Sequence, residues 1–576
     1  MIRHLFLAML ASVALIACSN ESDEVVTPAV EAKQPWAEFA ATTIDEYYRR
    51  NPGSAVNEGL HQYDGQVSDL SMAAIEEYAN WIDSVLAEAA SYTNLEGVEA
   101  FERDYMSTSL NGSLFWRRDA EYPIKNPLFY LGNMSVSVYV DREYAPLDQR
   151  LRAYTQHMEQ VPGLLQQMQN NLQPPLPAPY LEMASRILGG YVEYLSTTVP
   201  EIFSPVEDEQ LQRQFKAAND AAIESIERVV GWLDGLKATA TNDFALGEER
   251  FLKMLRTSQS VDVTLAELKA AGQKNLDDNL SMLHKACAEY APGENTKDCM
   301  AKAAANKPVG GAVARAREQL PMLRKFVEDN QIASIPGTEN ALVDESPPHR
   351  RFNMAYISIP GSFESGLPST YYIAPPDPEW SEEDQLAYIP GEADLLAVSV
   401  HEVWPGHFLQ YLHSNRAENN VGQHFGTYTF SEGWAHYTEQ MMVDAGLGDG
   451  DPEVRIGQLQ NALLRNVRYL SAIGLHTEGM TIEESQAMFE EKAFKDFGNA
   501  TQQAYRGTYD PGYLNYTLGK LMINKLRDDW TAGKGGREAW GRFHDQFLSY
   551  GQPPIPLIRE QMLGDDYDGD SSVLPN

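Results

Sequence analysis

The chain has 576 residues, 43% of them hydrophobic, and a formal net charge of −37. That length and apolar content support one large or several ordinary domains with a substantial core, and they exclude wholesale disorder. The acidic charge repels phosphate backbones and excludes nucleic acid as a natural partner. It keeps the surface solvated, and a preference for cationic substrates is its other reading.

The N-terminus reads as a targeting segment. Arg3 and His4 precede an apolar run from Leu5 to Ile16 that is too short to span a bilayer. The run ends in Leu15-Ile16-Ala17-Cys18, which resembles a bacterial lipoprotein box. By that resemblance residues 1–17 are a cleaved signal peptide and Cys18 becomes the lipidated first residue, a membrane anchor. An ordinary secreted signal peptide is the alternative. Ser19 follows, where an aspartate would suggest inner-membrane retention, so the expected location is the periplasmic face of the outer membrane. Residues 18–35 are polar and aperiodic and read as a flexible tether.

Helical patterns prevail after the tether, so a mainly α fold is expected. Asp208 to Leu236 reads as an amphipathic helix, and Thr264-Leu265-Ala266-Glu267 fits a capping box. Cys287 and Cys299 flank the loop-like Pro292-Gly293-Glu294-Asn295. In an oxidising periplasm they are expected to form a local disulfide worth ~3 kcal/mol. The Pro-, Ser- and Asn-rich stretch Ser334 to Pro348 is the expected boundary between a helical region 36–345 and a region 346–576 carrying the chemistry. The two regions are alternatively one continuous domain, and the cleft between them is the expected substrate site. Short β-branched and aromatic runs within Phe352 to Ala374 predict a small sheet near that site. Its edge could hold an extended peptide, or it is a structural hairpin.

Two stretches carry the chemistry: His401-Glu402-Val403-Trp404-Pro405-Gly406-His407, and Ser431-Glu432-Gly433-Trp434-Ala435-His436-Tyr437-Thr438-Glu439. Five of the 12 histidines fall between His401 and His436, a density that favours a metal site over scattered surface placement. Zinc peptidases ordinarily space two histidines four apart on one helix face. Here they are six apart, about 120° off-face on an ideal helix. Pro405 and Gly406 resolve the mismatch by breaking the helix, so that Glu392–Val403 is one segment and His407–His413 begins the next. His401 and His407 are then expected ligands, Glu402 the general base and Glu432 the third ligand of one zinc ion, leaving a position open. Glu432, His436 and Glu439 share a helix face, which makes His436 either a support for the site or a rival ligand. His413 and His424 read as packing residues.

Further on, Ile456, Leu459, Leu463, Val467 and Leu470 recur at helical spacing, and Thr481-Ile482-Glu483-Glu484 fits a second capping box.

At these residues the chain resembles a known family, the bacterial lipoproteins and relatives catalogued as domain of unknown function 885. That family's HExxPGHxxQ-like motif is matched by His401, Glu402, Pro405, Gly406, His407 and Gln410, and its EGWA-x-Y-x-E motif by Glu432 through Glu439. Arg468-Tyr469-Leu470, Gly474-Leu475-His476, and the run Pro511 through Gly519 extend the match. Two positions depart from the pattern: Ala472, where the family often has Asp, and His436, where it often has Leu. The family is similar to gluzincin-type zinc metallopeptidases, which implies a large helical fold with a deep cleft, zinc, and the ligand set above. Related peptidases steady the oxyanion with a Tyr or His from a later helix, and here His476 and Tyr516 are the candidates. Arg468 either binds a substrate carboxylate or forms a helix-surface ion pair.

The leading expectation is a lipid-anchored zinc peptidase acting on oligopeptides. The alternatives are an amidase or other metal-dependent hydrolase acting on cell-wall or small-molecule substrates, and a non-enzymatic scaffold with a vestigial metal site. Glu402 argues against the last, because a structural site needs no base.

Overall fold

The computed structural model describes residues 34–347, 350–351, 353–564, 569–570 and 572–575. The signal segment 1–17, Cys18 and residues 19–33 of the tether lie outside the described residues. The fold is mainly helical, as the sequence patterns predict, with one small sheet.

Two long helices, α1 (Ala178–Phe203) and α2 (Glu209–Leu236), pack together over an apolar cluster drawn from the N-terminal part of the chain. Asp208 starts α2 by accepting from the backbone N–H groups of Gln210 and Leu211, both at 3.0 Å. That satisfies donors a helix start otherwise leaves open. Helix α3 (Leu265–Tyr290) begins at the Thr264–Glu267 capping box, with both reciprocal bonds present. A disulfide between Cys287 and Cys299 ties the end of α3 to α4 (Thr296–Ala305). Helix α5 (Ala312–Asp329) follows.

The sheet has strand order β1-β3-β2. Strands β2 (Ala355–Ser358) and β3 (Thr370–Ile373) form the antiparallel pair expected from their composition, with Ile357 opposite Tyr371. Strand β1 (Leu342–Glu345) pairs parallel with β3 and lies inside the stretch read as a boundary. Three of its four residues are exposed, so it carries no alternating apolar signal.

The remaining helices build the site. They are α6 (Glu392–Glu402), α7 (His407–Ser414), α8 (Tyr428–Asp444), α9 (Pro452–Thr477), α10 (Phe497–Tyr509) and α11 (Asn515–Thr531). Helix α9 runs through the middle, and 17 of its 26 residues are buried. It packs on α3 so closely that a Cβ on Gly272 would sit 2.3 Å from the Tyr469 ring, whose hydroxyl donates to the Leu268 carbonyl at 2.8 Å. Helices α8 and α11 cross at a glycine pair: a Cβ on Gly433 would lie 2.5 Å from the Gly519 Cα. This contact fixes Glu432 of α8 against the helix that carries Tyr516. One core cluster spans Phe115 to Leu574 and includes Trp404, Trp434 and Tyr437. Among the described residues, no helix is long and apolar enough to cross a membrane.

Candidate metal centre

The break between α6 and α7 is built by two residues. Pro405 follows Trp404 through a cis peptide bond. Gly406 lies against the end of α6, where a Cβ would be 1.8 Å from the His401 carbonyl oxygen. Its own N–H donates to the Val400 carbonyl at 3.0 Å. With no side chain in the way, α7 restarts beside α6, and the two histidine rings meet edge-on with centroids 4.9 Å apart.

Glu432 completes the group from α8. Its Oε2 lies 3.5 Å from His401 Nε2 and 3.4 Å from His407 Nε2, and one donor atom from each residue lies within 4.8 Å of the others. Two imidazole nitrogens and a carboxylate are a donor set that a catalytic zinc accepts. Donors held at about 2.0–2.1 Å from a tetrahedral ion sit roughly 3.4 Å from one another, so the two Glu432 separations fit such an ion. Glu432 Oε2 is buried and has no hydrogen-bond partner, so a cation would satisfy an otherwise orphaned atom.

The surroundings hold the ligands in place. His401 Nδ1–H donates to Glu439 Oε1 at 2.7 Å, an assignment made from the bonding network, and this turns the lone pair of Nε2 toward Glu432. Arg465 on α9 pairs with the same carboxylate, Nη2 to Oε1 at 3.0 Å. His436 Nδ1 bonds the other Glu439 oxygen at 3.1 Å, which places it behind Glu439 and outside the donor trio. His407 Nδ1 lies 3.4 Å from Gln410 Oε1.

Burial pushes the Glu432 carboxyl up, but the close imidazoles of His401 and His407 outweigh it and hold the carboxyl well below the usual range. Burial and Arg465 oppose charge on His401, yet the nearby Glu432 carboxylate and its bond to Glu439 raise it to about 9. Burial likewise opposes charge on Glu439, and Arg465 with the flanking histidines keeps it ionised. Burial, then the charge of Lys520, lowers His436 to about 3, so that ring is neutral.

His401, Glu402 and Tyr516 line a cleft of about 2400 Å³ whose walls come from α1, the β2 region, α6, α9 and α10. Glu402 Oε2 accepts a hydrogen bond from the Ile357 N–H of edge strand β2 at 3.1 Å. Tyr516 is 8% exposed. Burial and Glu432 raise its phenol pKa, so it keeps its proton near neutrality.

The other oxyanion candidate is not in the cleft wall. His476 is buried, its Nε2 donates to the Gly507 carbonyl at 2.8 Å, and its Nδ1 accepts from the Leu246 N–H at 3.3 Å. Both nitrogens are spent on backbone, so no donor remains for a substrate and the candidacy rests on Tyr516. Of the alternatives for Arg468, a helix-surface ion pair does not fit, because the residue is 8% exposed and has no carboxylate partner among the described residues. His413 and His424 serve packing, bonding the Ser334 carbonyl and the Tyr48 hydroxyl. Arg465 is the residue sequence reasoning missed. Its signal was present, since it lies one turn before Arg468 on the same helix.

A large helical chain with a two-histidine, one-glutamate trio beside a cleft that His401 lines is what the fold and site define. The family model described as "Bacterial protein of unknown function (DUF885)" matches residues 52–562, and the chain belongs to that family. Two solved structures are similar. One is titled "The structure of a putative lipoprotein of unknown function from Shewanella oneidensis". It is 23% identical with a TM-score of 0.76, covering 92% of this chain and 100% of that one. The other is described as "the putative lipoprotein from Colwellia psychrerythraea". It is 17% identical with a TM-score of 0.75, covering 92% of this chain and 98% of that one. At such identities the likeness concerns the fold alone. No curated protein matches.

Proposed function

We propose that this chain is a zinc-dependent hydrolase, a peptidase acting on oligopeptides, tethered to the outer membrane through Cys18. The observation that carries the reading is the convergence of His401, His407 and Glu432, of which His401, with the adjoining Glu402, lines a large cleft. The lipoprotein-box resemblance and the titles of the two similar structures support the tether.

His401, His407 and Glu432 would hold a divalent ion, which would supply Lewis-acid chemistry and lower the pKa of water at the site. Glu402 takes the proton of the attacking water and returns it to the leaving amine. The β2 edge, joined to Glu402 through Ile357, offers backbone groups to an extended chain. The protonated Tyr516 hydroxyl donates toward the developing oxyanion. Glu439 and Arg465 keep His401 in one orientation and tautomer throughout.

Two measurements test this reading. Metal analysis of the purified protein should give about one zinc per chain, lost in His401→Ala and in Glu432→Ala. A peptide-library digest by the zinc-loaded protein should give defined cleavage products. No zinc bound even after its addition would overturn the ligand set. Hydrolysis confined to cell-wall or small-molecule amides would replace peptidase with amidase.

A further inference from the structure

Three guanidinium groups surround the Tyr516 ring in the cleft wall. The Cζ atoms of Arg465, Arg468 and Arg506 lie 5.5, 5.0 and 6.0 Å from its centroid. Two of them are matched by carboxylates: Arg465 by Glu439 at 3.0 Å, and Arg506 by Asp510 at 2.9 Å. Arg468 is not. Its Nε–H donates to Gln503 Oε1 at 2.8 Å, and among the described residues no carboxylate lies within ion-pair distance. The side chain is nonetheless 8% exposed. Lys495, on the same wall, has Asp394 to interact with.

A buried charge ordinarily comes with its counter-charge, because desolvation is otherwise uncompensated. Burial and the neighbouring Arg506 both push against the Arg468 charge, so this corner of the cleft is short of one anion. Gln503 occupies the Nε edge and leaves the two Nη groups free. That is the part of the guanidinium fork that grips a carboxylate with two parallel bonds. The corner lies one tyrosine ring from Arg465, whose Nη2 is 3.2 Å from His401 Nδ1. Trp380 and Phe497, 44% and 73% exposed, line the same cleft and suit apolar side chains.

We infer that Arg468 is the anchor for a substrate carboxylate, so that the cleft selects peptides presenting a free carboxylate close to the scissile bond. This rests on the reading of the cleft as a peptidase site. The shared chemistry is a carboxylate, from a peptide C-terminus or from an acidic side chain.

The test is calorimetric binding to the zinc-loaded full chain carrying Glu402→Gln, so that binding is read without turnover. The probes are acetyl-Ala-Leu-Phe as the free acid, the same peptide as its C-terminal amide, and acetyl-Ala-Glu-Phe amide. The acid should bind about tenfold or more tightly than its amide. Tight binding of the glutamyl amide as well would assign the carboxylate to a side chain, and weak binding would assign it to the C-terminus. Either supports the anchor. Adding Arg468→Met should bring binding of the acid down to that of its amide. If Arg468→Met also abolishes binding of the amide, Arg468→Lys decides: a reduced preference supports the anchor and an unchanged one overturns it. Equal binding of all three probes, no binding of any, or a preference that survives Arg468→Met overturns it. Wild-type enzyme that cleaves acid and amide with equal KM would keep the peptidase and remove the anchor. A carboxylate preference in a protein that cleaves nothing would do the reverse.

Discussion

Glu439 Oε1 accepts the His401 Nδ1 proton at 2.7 Å in the buried space between α6 and α8, and Arg465 neutralises the same carboxylate from α9. The metal-facing orientation of His401 thus depends on a residue that is not a ligand. Glu439→Gln keeps the shape and removes the charge. Zinc affinity, read by chelator competition, should fall about 10–100-fold. Unchanged affinity would mean that packing alone orients the ring.

Glu402→Gln separates metal binding from chemistry. The side-chain oxygen can still accept from Ile357 N–H, so the local structure and the bound zinc should persist. Turnover of a cleaved peptide should drop by roughly 10²–10⁴-fold, the usual contribution of a positioned general base. Retained turnover would remove Glu402 from the mechanism.

Gly406→Ala tests the helix break. Its methyl group would lie 1.8 Å from the His401 carbonyl and 2.4 Å from that of Val400, both backbone atoms that cannot swing aside. The variant should lose about 3 kcal/mol of stability or more. Zinc should be lost with it, because His407 can no longer return beside His401. A fully zinc-loaded Gly406→Ala chain of wild-type stability would show that α7 reaches the site without this contact.

Acid should destabilise the protein well above the carboxylate range. His157, His476 and His544 are at most 3% exposed, and burial lowers them to about 4, about 4 and about 3. Unfolded histidines titrate near 6.5. Below that pH the unfolded chain binds protons that the native chain refuses, so stability present above about 6.5 is lost as pH falls toward about 4. Each histidine contributes a slope of up to about 1.4 kcal/mol per pH unit. Thermal unfolding of the wild type should shift down by several degrees between about pH 7 and about pH 5. An unchanged Tm would mean that these rings are protonated in the folded state.

Local features were legible in the chain. The Pro405-Gly406 pair announced the break, and the helices end and restart at Glu402 and His407. Both capping boxes, at Thr264 and Thr481, form as read, because each is complete within four residues. Strand β1 was not legible. It is four residues long, mostly exposed, and is strand only because β3 supplies its partners. His476 and Tyr516 looked equivalent in sequence, and they separate because Gly507 and Leu246 arrive from elsewhere to occupy both nitrogens of the histidine.

The sequence by itself determined the donor types, the helix break that brings His401 and His407 together, and the cysteine pair, since these depend on neighbours along the chain. The sequence motif also pointed to Glu432 as the facing carboxylate, and only the tertiary structure decided that Glu439 orients one of the histidines. It also decided which arginine in the cleft is left without a counter-charge. Those choices follow from how α8, α9 and α11 pack. The glycine contact between α8 and α11 and the approach of α9 to Glu439 are long-range outcomes of burial, with no trace in local spacing.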